Sequence, residues 1–69
     1  MERTPVSSST IASIGYDSTS QTLEIEFING HIYQYFDVPE SYYLGIIGDA
    51  SPGGYLSRHI KGVFRYARA

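Results

Sequence analysis

Apolar and charged positions alternate most strictly at Leu23-Glu24-Ile25-Glu26-Phe27, the two-residue period of a strand with one buried face. Asn29-Gly30 follows, and then the β-branched and aromatic run Ile32-Tyr33-Gln34-Tyr35-Phe36, so the two segments predict a hairpin. Upstream, Ile11, Ile14 and Tyr16 predict a strand within residues 10–17 that places Ala12, Ile14 and Tyr16 on one face, although Gly15 weakens it. Asp17-Ser18-Thr19-Ser20 supplies the turn between this strand and the next, because these short polar side chains bond to their own backbone. The expected sheet is an antiparallel three-stranded meander over residues 10–37.

The hairpin register decides which side chains meet the core, since a one-residue slip exchanges the two faces of a strand. A two-residue loop sets Phe27 opposite Ile32, Ile25 opposite Gln34 and Leu23 opposite Phe36, and turns Tyr33 and Tyr35 outward. A three-residue loop sets Ile25 opposite Tyr33 and Leu23 opposite Tyr35, and packs both tyrosines inward. Asn-Gly suits the two-residue type I′ turn, and a buried Gln34 is then the cost of that choice. The turn residues favour the two-residue register, and the sequence permits either.

After the meander, Asp37 with Glu40 three residues on resembles a capping box, and Pro39 is tolerated in a first helical turn. Tyr43, Ile46, Ile47 and Ala50 then fall at the spacing of a buried helical stripe, which Gly45 and Gly48 keep short. Ser51-Pro52-Gly53-Gly54 reads as a connector or loose helix cap. A second short helix over residues 54–61 uses Leu56, Ile60 and Val63 as its apolar side and stops at Gly62. Val63-Phe64-Arg65-Tyr66 alternates again, and either pairs with a sheet edge or stays extended. The fold class is therefore α+β: the meander packed by one helix, with a second short helix and an extended C-terminal segment. Residues 1–9 are small and polar around Pro5 and read as a flexible segment, leaving residues 10–69 as a single domain.

Composition excludes several functions. Sixty-nine residues form one small core, and the absence of cysteine removes both disulfide scaffolds and thiolate metal sites. No apolar run is long enough for a membrane span or the apolar segment of a signal peptide, so a cytoplasmic protein without membrane contact is expected. His31 and His59 lie far apart without ligand spacing, so no metal and no cofactor are expected. Glu24 and Glu26 share a strand face, but solvent-facing alternation accounts for them, and no nucleophile elbow or Walker-type loop is present. Gly53-Gly54 ahead of a helix could offer N–H groups to an anion, but reads better as a flexible linker. The chain is expected to be non-catalytic.

Charge is distributed unevenly. All seven acids lie in residues 1–57 against Arg3 alone, while residues 58–69 hold four cations and no acid. Arg58, Lys61, Arg65 and Arg68 are interleaved there with Phe64 and Tyr66, the combination that grips phosphates while stacking on bases. Four phosphate contacts correspond to a salt slope of roughly −3. The duller account is that Phe64 and Tyr66 pack while the arginines stay solvated.

Val6-Ser7-Ser8, Ile14-Gly15-Tyr16-Asp17, Leu23-Glu24-Ile25-Glu26-Phe27, Tyr33-Gln34-Tyr35, Val38-Pro39, Ser51-x-Gly53 and Ile60-Lys61-Gly62 together make the chain resemble the KTSC domain over residues 6–68. That family is named for a C-terminal extension of some lysyl-tRNA synthetases and includes free-standing small bacterial and phage proteins. The sequence departs from the family's habit at Ser57, where Asn is usual, and in the Pro- and Gly-rich stretch at 51–54. The resemblance brings no catalytic residues and implies RNA as the ligand, largely through attachment to a tRNA ligase. Its Tyr-x-Tyr signature falls on Tyr33 and Tyr35. The expected activity is RNA binding, with Arg58, Lys61, Arg65 and Arg68 on phosphates and Tyr66 on bases, joined by Tyr33 and Tyr35 if the register exposes them; packed inward, that pair is structural. The alternative is a module that docks a protein partner or a second copy of itself through the tyrosine face or a sheet edge.

Overall fold

The computed structural model describes residues 1–69. Five strands run in chain order across one antiparallel sheet: β1 (Arg3–Pro5), β2 (Ile11–Asp17), β3 (Thr22–Phe27), β4 (Ile32–Tyr35) and β5 (Tyr66–Arg68). The α+β class agrees with the sequence reading, and the three central strands are the predicted meander. Two edges extend it. Arg3–Pro5, read from the sequence as flexible, pairs with β2, and Pro5 is tolerated because an edge strand need not donate to a second neighbour. The C-terminal alternation pairs with β4.

The β3–β4 hairpin takes the three-residue loop, correcting the favoured register. Ile25 faces Tyr33 and Leu23 faces Tyr35. Phe27 N–H donates to the His31 carbonyl, and Gly30 N–H donates back to the Phe27 carbonyl, both at 2.9 Å. Gly30 sits at φ +90°, so Asn-Gly serves a turn followed by a left-handed bulge residue in place of a type I′ turn. The physical reason is burial. This register puts Tyr35 in the core and leaves Gln34 on the opposite face, where its amide donates to Glu24 Oε1 at 2.9 Å.

On β2 a bulge between Ile11 and Ser13 changes the face assignment as well. Ile11, in place of the expected Ala12, joins Ile14 and Tyr16 above the core. The nine buried apolar side chains are Ile11, Ile14, Leu23, Ile25, Tyr35, Val38, Ile46, Leu56 and Ile60.

Helix α1 (Glu40–Gly48) packs against β2 and against the second helix. Ile46 is fully buried as the stripe predicted, with Tyr43 half-buried, whereas Ile47 is 37% exposed. The capping box does not form: Pro39 occupies the cap, and Asp37 is left-handed at φ +58° with its carboxylate turned to Arg65. Val38, between them, is held from both sides. Its N–H donates to the Gln21 carbonyl, and its own carbonyl accepts from the Tyr16 hydroxyl. Burial raises the Tyr16 phenol above its ordinary range, and the Glu40 and Asp17 charges add to that. Tyr16 also stacks on Tyr43, with centroids 5.3 Å apart.

The second helix starts earlier than expected. Ser51 Oγ accepts from Gly54 N–H, so Pro52–Tyr55, which includes the supposed linker, forms the helical turn α2. It continues as a π-helical turn over Leu56–Ile60, where Lys61 N–H reaches back to the Leu56 carbonyl. Leu56 and Ile60 are buried as expected, but Val63 is 62% exposed. Gly45 lets α1 approach α2 closely, for a methyl group there would overlap the Tyr55 ring.

The other face of the sheet is polar and is covered by the N-terminus. Arg3 Nη1 donates to Glu24 Oε2 at 2.6 Å, and Ser13 Oγ donates to Glu26 Oε1 at 2.7 Å. A methyl group at Gly15 would strike the Glu2 carbonyl oxygen at 2.7 Å, which shows how tightly the first residues lie on the strand. Burial works to raise the Glu24 carboxyl, but bonds from Gln34 and Arg3 and the charges of Arg3 and the N-terminal amine carry it below the usual range.

Two outcomes follow from this packing. Gly45→Ala is expected to lower unfolding free energy by about 1–2 kcal/mol, because overpacking outweighs the gain in helix propensity. Gly48→Ala, where the space is open, is expected to be neutral or stabilising by up to about 1 kcal/mol; urea titration of both variants measures the contrast. The depressed Glu24 carboxyl contributes stability that is complete above its unfolded value, near 4.5, and is lost as pH falls through the lower folded value. Thermal melts between pH 6 and pH 2.5 should therefore show a steeper acid loss in the wild type than in Glu24→Gln.

Candidate functional site

Helix α1 stands over β2, and the β4–β5 side of the same face bears a groove. Tyr33 pairs with Arg68 and Tyr35 with Tyr66 across β4 and β5, which sets all four side chains on this face. The three tyrosines contribute to a groove of about 470 Å³ whose lining also includes Phe27, His31 and Lys61. Phe27 meets Tyr33 edge-on at 5.6 Å, Tyr33 meets Tyr66 at 5.7 Å, and Tyr66 meets Tyr35 at 5.8 Å. The rings form a continuous series.

Within it the tyrosines differ. Tyr35 is only 4% exposed and forms the floor; burial, with Tyr33 and Tyr66 alongside, pushes its phenol above the ordinary value. Tyr33 is half-buried. Tyr66 is 62% exposed and offers most of its surface to a ligand.

The four C-terminal cations separate into two pairs. Lys61, released from the π-helical turn just before Gly62 reverses the chain at φ +78°, overhangs the groove without a carboxylate partner. Arg68 projects beside it, with Nη2 3.3 Å from His31 Nε2. Arg58 is paired with Asp49 at 3.5 Å. Arg65 is paired with Asp37 at 2.7 Å and lies 5.6 Å over the Phe36 ring, outside the aromatic groove. The structure thus brings Tyr33, Tyr35, Lys61, Tyr66 and Arg68 together and does not bring Arg58 and Arg65 to them. Phe64 packs against Tyr42, with centroids 5.1 Å apart.

Of the groove's side chains outside the sequence candidates, Phe27 and His31 bring a ring. The three-residue register carried the signal for Phe27, since it puts Phe27 and Tyr33 on one face. His31 required the cross-strand position of Arg68, which no local pattern reveals.

No group of three or more His, Cys, Asp or Glu side chains is arranged to hold a metal ion, and no helix is long and apolar enough to cross a membrane.

Comparison with known proteins supplies the family. The chain is 43% identical over 51 residues to a lysine–tRNA ligase of Trichormus variabilis, a match covering 74% of this chain and 9% of the ligase. It thus corresponds to a small segment of the ligases it matches. It is also 37% identical over 65 residues to a protein of Stutzerimonas stutzeri, covering 94% of this chain and 86% of that one. Among solved structures, a KTSC domain protein of Yersinia pestis superposes with a TM-score of 0.93 at 42% identity, covering 99% of this chain and 96% of the other. The KTSC domain model itself matches residues 7–64, a span that takes in β2 to β4, both helices and Lys61. With sequence motifs, sheet order and structural neighbour in agreement, this chain belongs to the KTSC domain family.

Proposed function

We propose that this protein is a non-catalytic RNA-binding module whose ligand is a single strand held at the β4–β5 groove. The observation that carries the reading is the placement of Tyr33, Tyr66 and Lys61 in a groove lined by no carboxylate, with Arg68 against its wall residue His31, although the chain holds seven acids. Aromatic faces accept any base, and adjacent cations neutralise phosphates. A tRNA ligase containing a similar segment supports RNA as the polyanion.

Because Arg58 and Arg65 lie outside the aromatic groove, the two cations beside it, Lys61 and Arg68, engage phosphates. For a single strand that gives a salt slope of about −1.4, shallower than four contacts would produce. Tyr66→Ala removes a stacking surface worth about 1–3 kcal/mol, or roughly 5- to 150-fold in affinity.

A second reading has its own observation. All three residues of edge strand β5 are exposed, so the strand could accept another chain, including a second copy.

Fluorescence anisotropy with labelled oligouridylate at several salt concentrations tests the RNA reading. The expected result is binding weakened by Tyr66→Ala and by the double variant Lys61→Ala, Arg68→Ala, with Arg65→Ala within about twofold of the wild type. Absence of binding at low salt overturns the reading, and a slope near −3 overturns the restriction to two cations. Light scattering showing mass above 7.7 kDa as concentration rises favours self-association instead.

A further inference from the structure

A larger groove, of about 770 Å³, adjoins the aromatic one and shares Phe27 and Lys61 with it. Its lining differs in chemistry. Ser7, Ser8, Ser9 and Thr10 from the β1–β2 connection face Ser57 of the π-helical turn, and Lys61 stands where the two grooves meet. Neither groove is lined by any of the seven acids, so an acid-free track crosses a protein of net charge −2.

That juxtaposition separates two kinds of contact. The aromatic groove offers ring faces, whereas the hydroxyl groove has only three hydrophobic residues among the thirteen that line it and offers no aromatic face except Phe27 at the junction. Hydroxyls bond to phosphate and sugar oxygens irrespective of base identity, and an acid-free wall imposes no repulsion on a phosphodiester. A lysine at the junction serves both parts, because its three donors rotate toward whichever phosphate passes.

We propose that the hydroxyl-lined groove is a second subsite that carries the sugar–phosphate backbone of a single RNA strand whose neighbouring bases stack in the aromatic groove, with Lys61 at the crossing. This deepens the RNA-binding reading and rests on it. The domain then holds a strand longer than the aromatic groove alone accommodates, and affinity rises with length until both grooves are filled.

Ser7 is the position for the test, since it is exposed and lines the hydroxyl groove without lining the aromatic one. Two probes are compared: a uridine dinucleotide, followed by tyrosine fluorescence, and a fluorescein-labelled ten-nucleotide oligouridylate, followed by anisotropy. Ser7→Asp is expected to weaken the decamer at least fivefold and to leave the dinucleotide within twofold. Ser7→Lys is expected to tighten the decamer, an opposite change that impaired folding could not produce. If both variants bind the decamer like the wild type while Tyr66→Ala still weakens it, the second subsite is overturned and the aromatic site stands. If the wild type binds neither probe, both readings fall together.

Discussion

Gly30, in its left-handed conformation, fixes which side of β4 faces the helices. With three residues in the loop, the bulge aligns Ile25 with Tyr33 and Leu23 with Tyr35, and the rest of the aromatic face follows. A slip of one position would lift Tyr35 out of the core, bury Gln34 and strip Glu24 of its amide donor. It would also remove the surface on which β5 lays Tyr66. The core and the groove are thus products of one turn, and a side chain at residue 30 would strain both.

The sheet divides charge as well as polarity. On one face Arg3, Glu24, Gln34, Ser13 and Glu26 satisfy one another beneath the N-terminal residues, and outside the sheet, in the loops and the helical layer, Asp37 and Asp49 hold Arg65 and Arg58. The opposite face carries rings, hydroxyls and the two cations without carboxylate partners. An acidic protein presents a cation-bearing surface in this way because local arrangement, and not net charge, determines what a polyanion meets.

Much of this was legible in the chain. Alternation at Leu23–Phe27 and the helical spacing of Tyr43 and Ile46 report local periodicity, and both elements form where the periodicity puts them. Asn-Gly was ambiguous because both candidate loops require a residue that accepts positive φ, and only the burial of Tyr35 against that of Gln34 distinguishes them. Arg3–Pro5 carries too few residues to show a period and is a strand only because β2 offers an edge. Asp37 looked like a cap because its spacing to Glu40 is local, whereas its partner Arg65 lies 28 positions away. Long-range pairing likewise sorted the four cations, whose residue types were apparent but whose partners were not.

Strand β5 is both the sheet's last edge and the wall that bears Tyr66 and Arg68, yet none of its residues is buried. Detaching three terminal residues exposes little apolar core, so this strand belongs among the parts of the molecule that open at low energetic cost. Amides there are expected to exchange with solvent ahead of those in β2 and β3. Replacing Tyr66 and Arg68 should therefore leave the core folded while stripping the aromatic face, so the fold and that face are separable.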